Sequence, residues 1–387
     1  MKIEQKSWTK GAGWSPASPH TLAESAQLVL VFGATDILRN EPLVTAIRTS
    51  YPVAHLLGCT TAGEICGIRV LDDSLVTTAI HFEHTQIRSA EVSLSEYADS
   101  AEAGKELTQK LPQTLGVVDT ADEQKLTHVL VLSDGLGVNG SDLVRGMQSA
   151  LPEGMAVTGG LAGDGARFGE TLVFKNNVPE KGAIAAIGLY GNRVKIGMGS
   201  LAGWDPFGPE RRVTRSKGNI LLELDGRPAL ALYKQYLGEE QAKGLPATGL
   251  LFPLSMRVTP NSAPLVRTIL SVNEEEQSLT FAGDIPEGAH VRLSRANFDR
   301  LIDGAVGAAE ASRGAAAPEL AILISCIGRK LVLKQRIEEE VEGVRGALGE
   351  KAVLTGFYSY GEIAPFVPGE RSELHNQTMT ITTITET

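Results

Sequence analysis

The chain is short of cysteine, of clustered basic residues and of long apolar runs, and each shortage removes a class of function. Its 387 residues include three cysteines, Cys59, Cys66 and Cys326, none in a CxxC or CxxCH pair. That pattern excludes a disulfide framework, the usual zinc motif and covalently attached haem. Acids outnumber bases 46 to 36, and no Lys/Arg block is long enough to follow a phosphate backbone, so nucleic acid is not an expected partner. The longest apolar runs, around 27–34 and 182–191, fall short of the roughly 20 residues that a membrane helix needs. Met1 to His20 contain no apolar stretch; no signal peptide and no membrane partner are expected, and the cytoplasm is the expected location. GxSxG, HExxH and Walker-lysine signatures are also missing, so neither catalytic nor metal-binding residues are expected.

What remains is an ordinary globular composition, 42% hydrophobic and 21% charged, at a length that suits two domains or one large duplicated one. Self-similarity is the informative feature. Leu28–Phe32 is an apolar run ending at Gly33; a helical stretch follows from about Pro42, and His55–Cys59 then leads into Thr61-Ala-Gly-Glu64. The order returns with Val129–Leu132, a helix with Ser141 or Asp142 as cap and Leu143, Met147 and Leu151 on one face, and Ala156–Thr158 leading into Leu161-Ala-Gly-Asp164. A third copy runs from Leu320–Ile324 through a helix carrying Leu333, Ile337, Val341, Val344 and Leu348 to Val353–Thr355 and Ser359-Tyr-Gly-Glu362.

Unbroken apolar strands joined by helices predict parallel crossover units buried on both faces. Alternating stretches such as Val76–Phe82 and Thr378–Ile384 predict strands with one wetter face. The expected fold class is α/β, with mixed sheets flanked by helices and internally repeated strand–helix–strand units. The three glycine–acid corners, Gly63-Glu64, Gly163-Asp164 and Gly361-Glu362, are expected to converge and frame a shared cavity, with the acids receiving a ligand ammonium group.

Four stretches carry a family likeness: Gly58–Ile65, Gly159–Asp164, Asp225–Leu230 with Tyr233 to Gly238 after it, and Gly356–Ala364 followed by Leu374–Thr378. In this order they resemble the FIST family of bacterial sensory proteins. The likeness implies a segment 1–24, a FIST N-like sensory domain at 25–222 and a FIST C-like domain at 223–387. It further implies small-ligand sensing ahead of a signalling output, and no catalysis. The stand-alone layout is similar to the family's nitric-oxide-sensing haem proteins, which implies non-covalent haem b and a partner histidine kinase or cyclic-di-GMP enzyme (diguanylate cyclase or phosphodiesterase). Two alternatives stand beside it: a sensor of an amino acid or similar zwitterion, and a hydrolase of a small amide or acid.

Further residues follow from these readings. Arg329 and Lys330 open the third helix, where the first two units carry Asp36 and Asp134; they suit a carboxylate or a haem propionate. His55, His84, His128 and His375 are the axial-ligand candidates, with His84 on the face of Val76, Ile80 and Phe82. Gly135-Leu-Gly-Val-Asn-Gly140 fits GxGxxG, but Asp134 directly before it would repel a pyrophosphate, so NAD is rejected and a flexible loop is expected.

Overall fold

The computed structural model describes residues 1–17, 20–115, 124–259, 264–314, 316–367 and 369–387. The three repeats are real units. Leu28–Gly33 pairs in parallel with His55–Thr60, Leu126–Ser133 with Val157–Leu161, and Leu320–Cys326 with Val353–Ser359. The connecting helices are Glu41–Ser50, Gly140–Ala150 and, in two pieces, Ile327–Leu333 and Ile337–Leu348. A later strand returns antiparallel on each leading strand: Ser74–His81, Ala183–Tyr190 and Met379–Glu386. The leading strands are buried along their whole length apart from Thr127, which is why they read as continuous apolar runs.

Local details differ from the sequence reading at three points. The second helix is capped by Asn139, whose side chain accepts from the N–H groups of Ser141 and Asp142, so those two residues are the capped ones. The third helix breaks at Lys334, where φ is 51°; Leu333 before the break packs with Leu301 and Val332, and Val341, Val344 and Leu348 after it pack on the larger core. His84 lies beyond the end of the Ser74–His81 strand and is exposed, off the apolar face assigned to it.

The units close into a ring by exchanging strands. After each corner the chain leaves its own sheet for the next one. Glu64–Cys66 of the first unit pairs with Val353–Ser359 of the third, Gly361–Pro365 of the third with Val157–Leu161 of the second, and Val173–Lys175 of the second with His55–Thr60 of the first. Three backbone hydrogen bonds repeat the cycle: Ala62 N–H to the Tyr358 carbonyl (2.8 Å), Tyr360 to Leu161 (3.2 Å) and Gly163 to Thr60 (2.9 Å). The corners converge, as expected.

Their register corrects the equivalence drawn from sequence. Thr60, Leu161 and Tyr358 face Gly33, Ser133 and Ser325 in the parallel ladders, so they occupy one position. Ala62, Gly163 and Tyr360 therefore occupy another, and Asp164 falls where Gly63 and Gly361 stand. The second corner is one residue shorter. Glu64 and Glu362 are a true pair; Asp164 is not the third member.

A second feature repeats in all three units. A Cβ on Gly58, Gly159 or Gly356 would run into the carbonyl oxygen of Val31, Val131 or Leu323 on the neighbouring strand, and φ is +150° at Gly159 and +153° at Gly356. Only glycine tolerates both the angle and the approach.

Between the second and third units the chain builds a smaller β body. Its strand order is Leu265–Arg267, Leu254–Arg257, His290–Arg295, Asp205–Lys217, Ile220–Leu224, Ser278–Phe281 and Ile269–Asn273. The long Asp205–Lys217 strand serves both halves of this sheet, its first part pairing with His290–Arg295 and its last part with Ile220–Leu224. The body has its own core, including Leu221, Tyr233, Phe281 and Val291. The division at 222/223 falls inside the strand Ile220–Leu224.

Candidate functional site

The corner carboxylates are interior and engaged. Glu64, 1% exposed, accepts from the Thr61 hydroxyl and from the Ser74 hydroxyl at 2.5 Å. Glu362, 0% exposed, accepts from the Ser359 hydroxyl at 2.6 Å and the Thr378 N–H at 3.3 Å. Thr61 and Ser359 each stand three residues before their acid; the second corner has Ala162 there and lacks the hydroxyl. Burial pushes the Glu64 carboxyl up to about 7 and that of Glu362 to about 8, with the hydroxyl donors pulling back. At Asp164 burial also opposes ionisation, but hydrogen bonds from Arg167 and Thr35 prevail and hold it below its usual range.

Arg329 is fully buried and fully used. Its guanidinium holds Glu340 through Nε (3.0 Å) and Nη2 (2.8 Å) and donates to the carbonyls of Ala202 and Leu301, each at 2.6 Å. Glu340 is completed by the hydroxyls of Tyr358 (2.7 Å) and Ser325 (3.2 Å). Lys330 reaches back to the first corner, donating to the Ala62 carbonyl at 2.9 Å and pairing with Asp72. A helix-start pair that reads as an anion site thus ties the third unit to the ring.

The histidines lie apart. His55 faces Ser89 (3.0 Å) in a small polar surface cleft, and His84 is exposed beside Arg193. His128 and His375 are buried, the first against the Thr158 hydroxyl (2.8 Å) and the second against the Ala364 carbonyl (2.9 Å); burial lowers each to about 4. Among the described residues no group of three or more His, Cys, Asp or Glu is placed to hold a metal ion.

A ligand-sized space lies beside the corners. A cavity of about 740 Å³ opens between the ring and the small β body, within the range of small-molecule sites. The ring contributes the 135–139 loop, Leu161, Phe168, Cys326, Ile327, Leu331 and Tyr360; the small body contributes Asn219, the 244–247 turn, Leu250, 268–270, Phe281 and Ala282. Leu161, Thr268, Ile269, Phe281, Cys326 and Ile327 are buried and form its floor. Leu136, Phe168 and Leu270, 44%, 42% and 46% exposed, mark its mouth. The Phe168 ring stacks on Tyr360 at 4.5 Å and 18°. Tyr360 stands in the third corner, directly before Gly361, and its hydroxyl donates to the Gly165 carbonyl at 3.0 Å.

Of the residues named from sequence, none of Glu64, Asp164, Glu362, Arg329 or Lys330 belongs to these walls, and among the described residues no Asp, Glu, Lys, Arg or His does. The lining does not fit haem iron: no imidazole is present, and burial pushes the Cys326 thiol up, against the thiolate that iron would require. The 135–140 loop, set aside as a failed dinucleotide motif, does line the space. Asp134 organises it by accepting from Leu136 N–H (3.0 Å) and Gly137 N–H (2.6 Å). The wall residues of the small body carried no motif, and only their assembly reveals them.

Contacts across the cavity hold the two bodies together. Arg267, fully buried and lowered to about 10 by burial, donates from the small body to the Leu374 carbonyl at 2.9 Å. Asn139 donates to Asp284 at 3.1 Å, Trp204 to the Gln377 carbonyl at 2.9 Å, and Gln377 to the Leu250 carbonyl at 3.3 Å.

Comparison with known proteins agrees with this layout. The FIST N domain matches residues 27–227 and the FIST C domain residues 229–365. An uncharacterized protein of Methanocaldococcus jannaschii is 23% identical over 371 residues, covering 86% of this chain and 69% of its own. An uncharacterized protein found in two strains of Mycobacterium tuberculosis is 24% identical over 340 residues, covering 84% of this chain and 82% of its own. A crystal structure of a cyanuric acid hydrolase from A. caulinodans aligns over 100% of this chain and 98% of that one at 9% identity and a TM-score of 0.39, too low to bear on function.

Proposed function

The chain belongs to the FIST family, whose domains are sensors of small ligands in signal transduction, and on that premise we propose that its ligand binds in the cavity between the ring and the small β body. The observation that carries this reading is a space of about 740 Å³ whose walls come from both family domains. A ligand touching both bodies stabilises the arrangement in which they are joined, which is what a sensor needs in order to shift a conformational equilibrium. The crossing bonds of Arg267, Asn139, Trp204 and Gln377 are the contacts such a shift would remake. The output would then be read by a separate kinase or cyclic-di-GMP enzyme as a change in the exposed face of the small body.

The haem version of this function has no support from the cavity, since its described walls hold no imidazole and burial keeps the Cys326 thiol and the Tyr360 phenol protonated. The amino-acid version is not favoured either, because the acids and Arg329 that would hold a zwitterion are buried against protein partners. Nor do the walls carry an acid–base pair for hydrolysis.

The test is a thermal-shift screen of small molecules on the intact chain beside an Ala282→Phe variant, which places a ring in the space. Ligands at 100 times their dissociation constant add about 2.7 kcal/mol of stability. The expected result is hits that disappear in the variant. Hits that persist unchanged in Ala282→Phe would move the site elsewhere.

A further inference from the structure

We infer that the ligand is an uncharged amphiphile, with a hydrogen-bonding head of the amide or ester type and an apolar tail; this rests on the cavity being the ligand site. Three observations lead there. Among the described residues the walls contain no ionisable side chain other than the Tyr360 phenol and the Cys326 thiol, and burial pushes the phenol to about 12 and raises the thiol. A charged ligand would lose its hydration and meet no counter-charge, so charge is selected against.

The floor nevertheless holds unfilled polar capacity. The Thr268 hydroxyl, on a residue 6% exposed in the cavity lining, has no hydrogen-bond partner. A hydroxyl both donates and accepts, so it suits a head that does the same, as a carboxamide does.

The mouth is apolar. Leu136, Phe168 and Leu270 are exposed there together, where soluble proteins usually carry polar groups. Phe168 keeps φ at 50°, an uncommon conformation for a bulky residue, and its ring is fixed by stacking on Tyr360. A chain leaving the floor would pass between these side chains, giving the tail an apolar exit.

The test compares four probes that differ only in the head or in the presence of a tail: octanamide, octanoate, octylamine and leucine, titrated calorimetrically into the full chain. Octanamide is expected to bind at least tenfold more tightly than each of the others. Thr268→Val, which keeps the side-chain volume, should weaken octanamide about five- to tenfold. Octanoate, octylamine or leucine binding as well as octanamide, or no octanamide binding, overturns the neutral-amphiphile assignment. Nile red, an uncharged dye, tests the site separately. If Ala282→Phe lowers its binding, the cavity reading stands whatever the four probes show. If Ala282→Phe leaves dye binding unchanged, the site itself fails.

Discussion

The corner ring and the ring side of the cavity next to it are made from adjoining stretches of chain, yet they are chemically opposite. Around the corners the glutamates, hydroxyls and Arg329 find partners inside the protein. In the cavity the walls carry no charged side chain among the described residues, and the Thr268 hydroxyl has no partner there. The difference teaches that charge density in a sequence does not mark the place where a ligand enters. Buried charges must be neutralised by the protein itself, so the corner charges serve as scaffolding, and uncharged stretches line the cavity.

Variants in the two regions should therefore separate stability from binding. The largest effect is expected at the ring glycines. Gly356→Ala places a methyl against the Leu323 carbonyl at a φ of +153° and should cost about 3 kcal/mol or more, seen as loss of soluble protein or a large fall in urea midpoint. Gly154→Ala, at φ +80° with open space around it, should cost about 1 kcal/mol.

Next comes the buried ion pair. Arg329→Met should destabilise by about 3–5 kcal/mol because Glu340 is left charged and buried. Adding Glu340→Met should recover much of that loss in the same urea titration. Equal destabilisation in the single and double variants would mean that packing, not charge, dominates.

The third test uses pH. Glu64 and Glu362 are raised in the folded chain to about 7 and about 8, so the unfolded chain ionises first and their contribution falls as pH rises from about 4.5 to 8. His128 and His375 are lowered to about 4 and act with opposite sign, adding stability as pH rises from 4 to 6.5. Between pH 6.5 and 8 the gain from these histidines is largely complete while the loss at the glutamates continues, and the melting temperature should drop. The double variant Glu64→Gln, Glu362→Gln should flatten that drop; an unchanged slope would assign it to other groups.

The smallest stability effect and the clearest binding effect belong to the mouth. Phe168→Ala, at a side chain 42% exposed, should change stability by under about 1 kcal/mol while weakening octanamide several-fold. A variant that binds normally would take Phe168 out of the tail path.

Much of the architecture was legible beforehand. The apolar runs at Leu28, Val129 and Leu320 predicted buried parallel strands, and three similar corners predicted a repeated unit; both are seen. The missing residue in the second corner was not legible, because Gly163-Asp164 matches the other glycine–acid pairs by eye and only the ladder register shows the offset. Arg329 was misleading for a related reason. A helix-start arginine looks the same in sequence whether it faces solvent or Glu340, which stands eleven residues later and on another helix.

Local pattern alone thus determined which segments become strands and helices, since backbone preference and apolar periodicity act over a few neighbouring residues. The exchange of strands between units, the neutralisation of the corner charges and the uncharged hollow depend on which distant segments meet. Leu161, Thr268 and Cys326 share one wall although long stretches of chain separate them, and no short-range pattern encodes such a meeting.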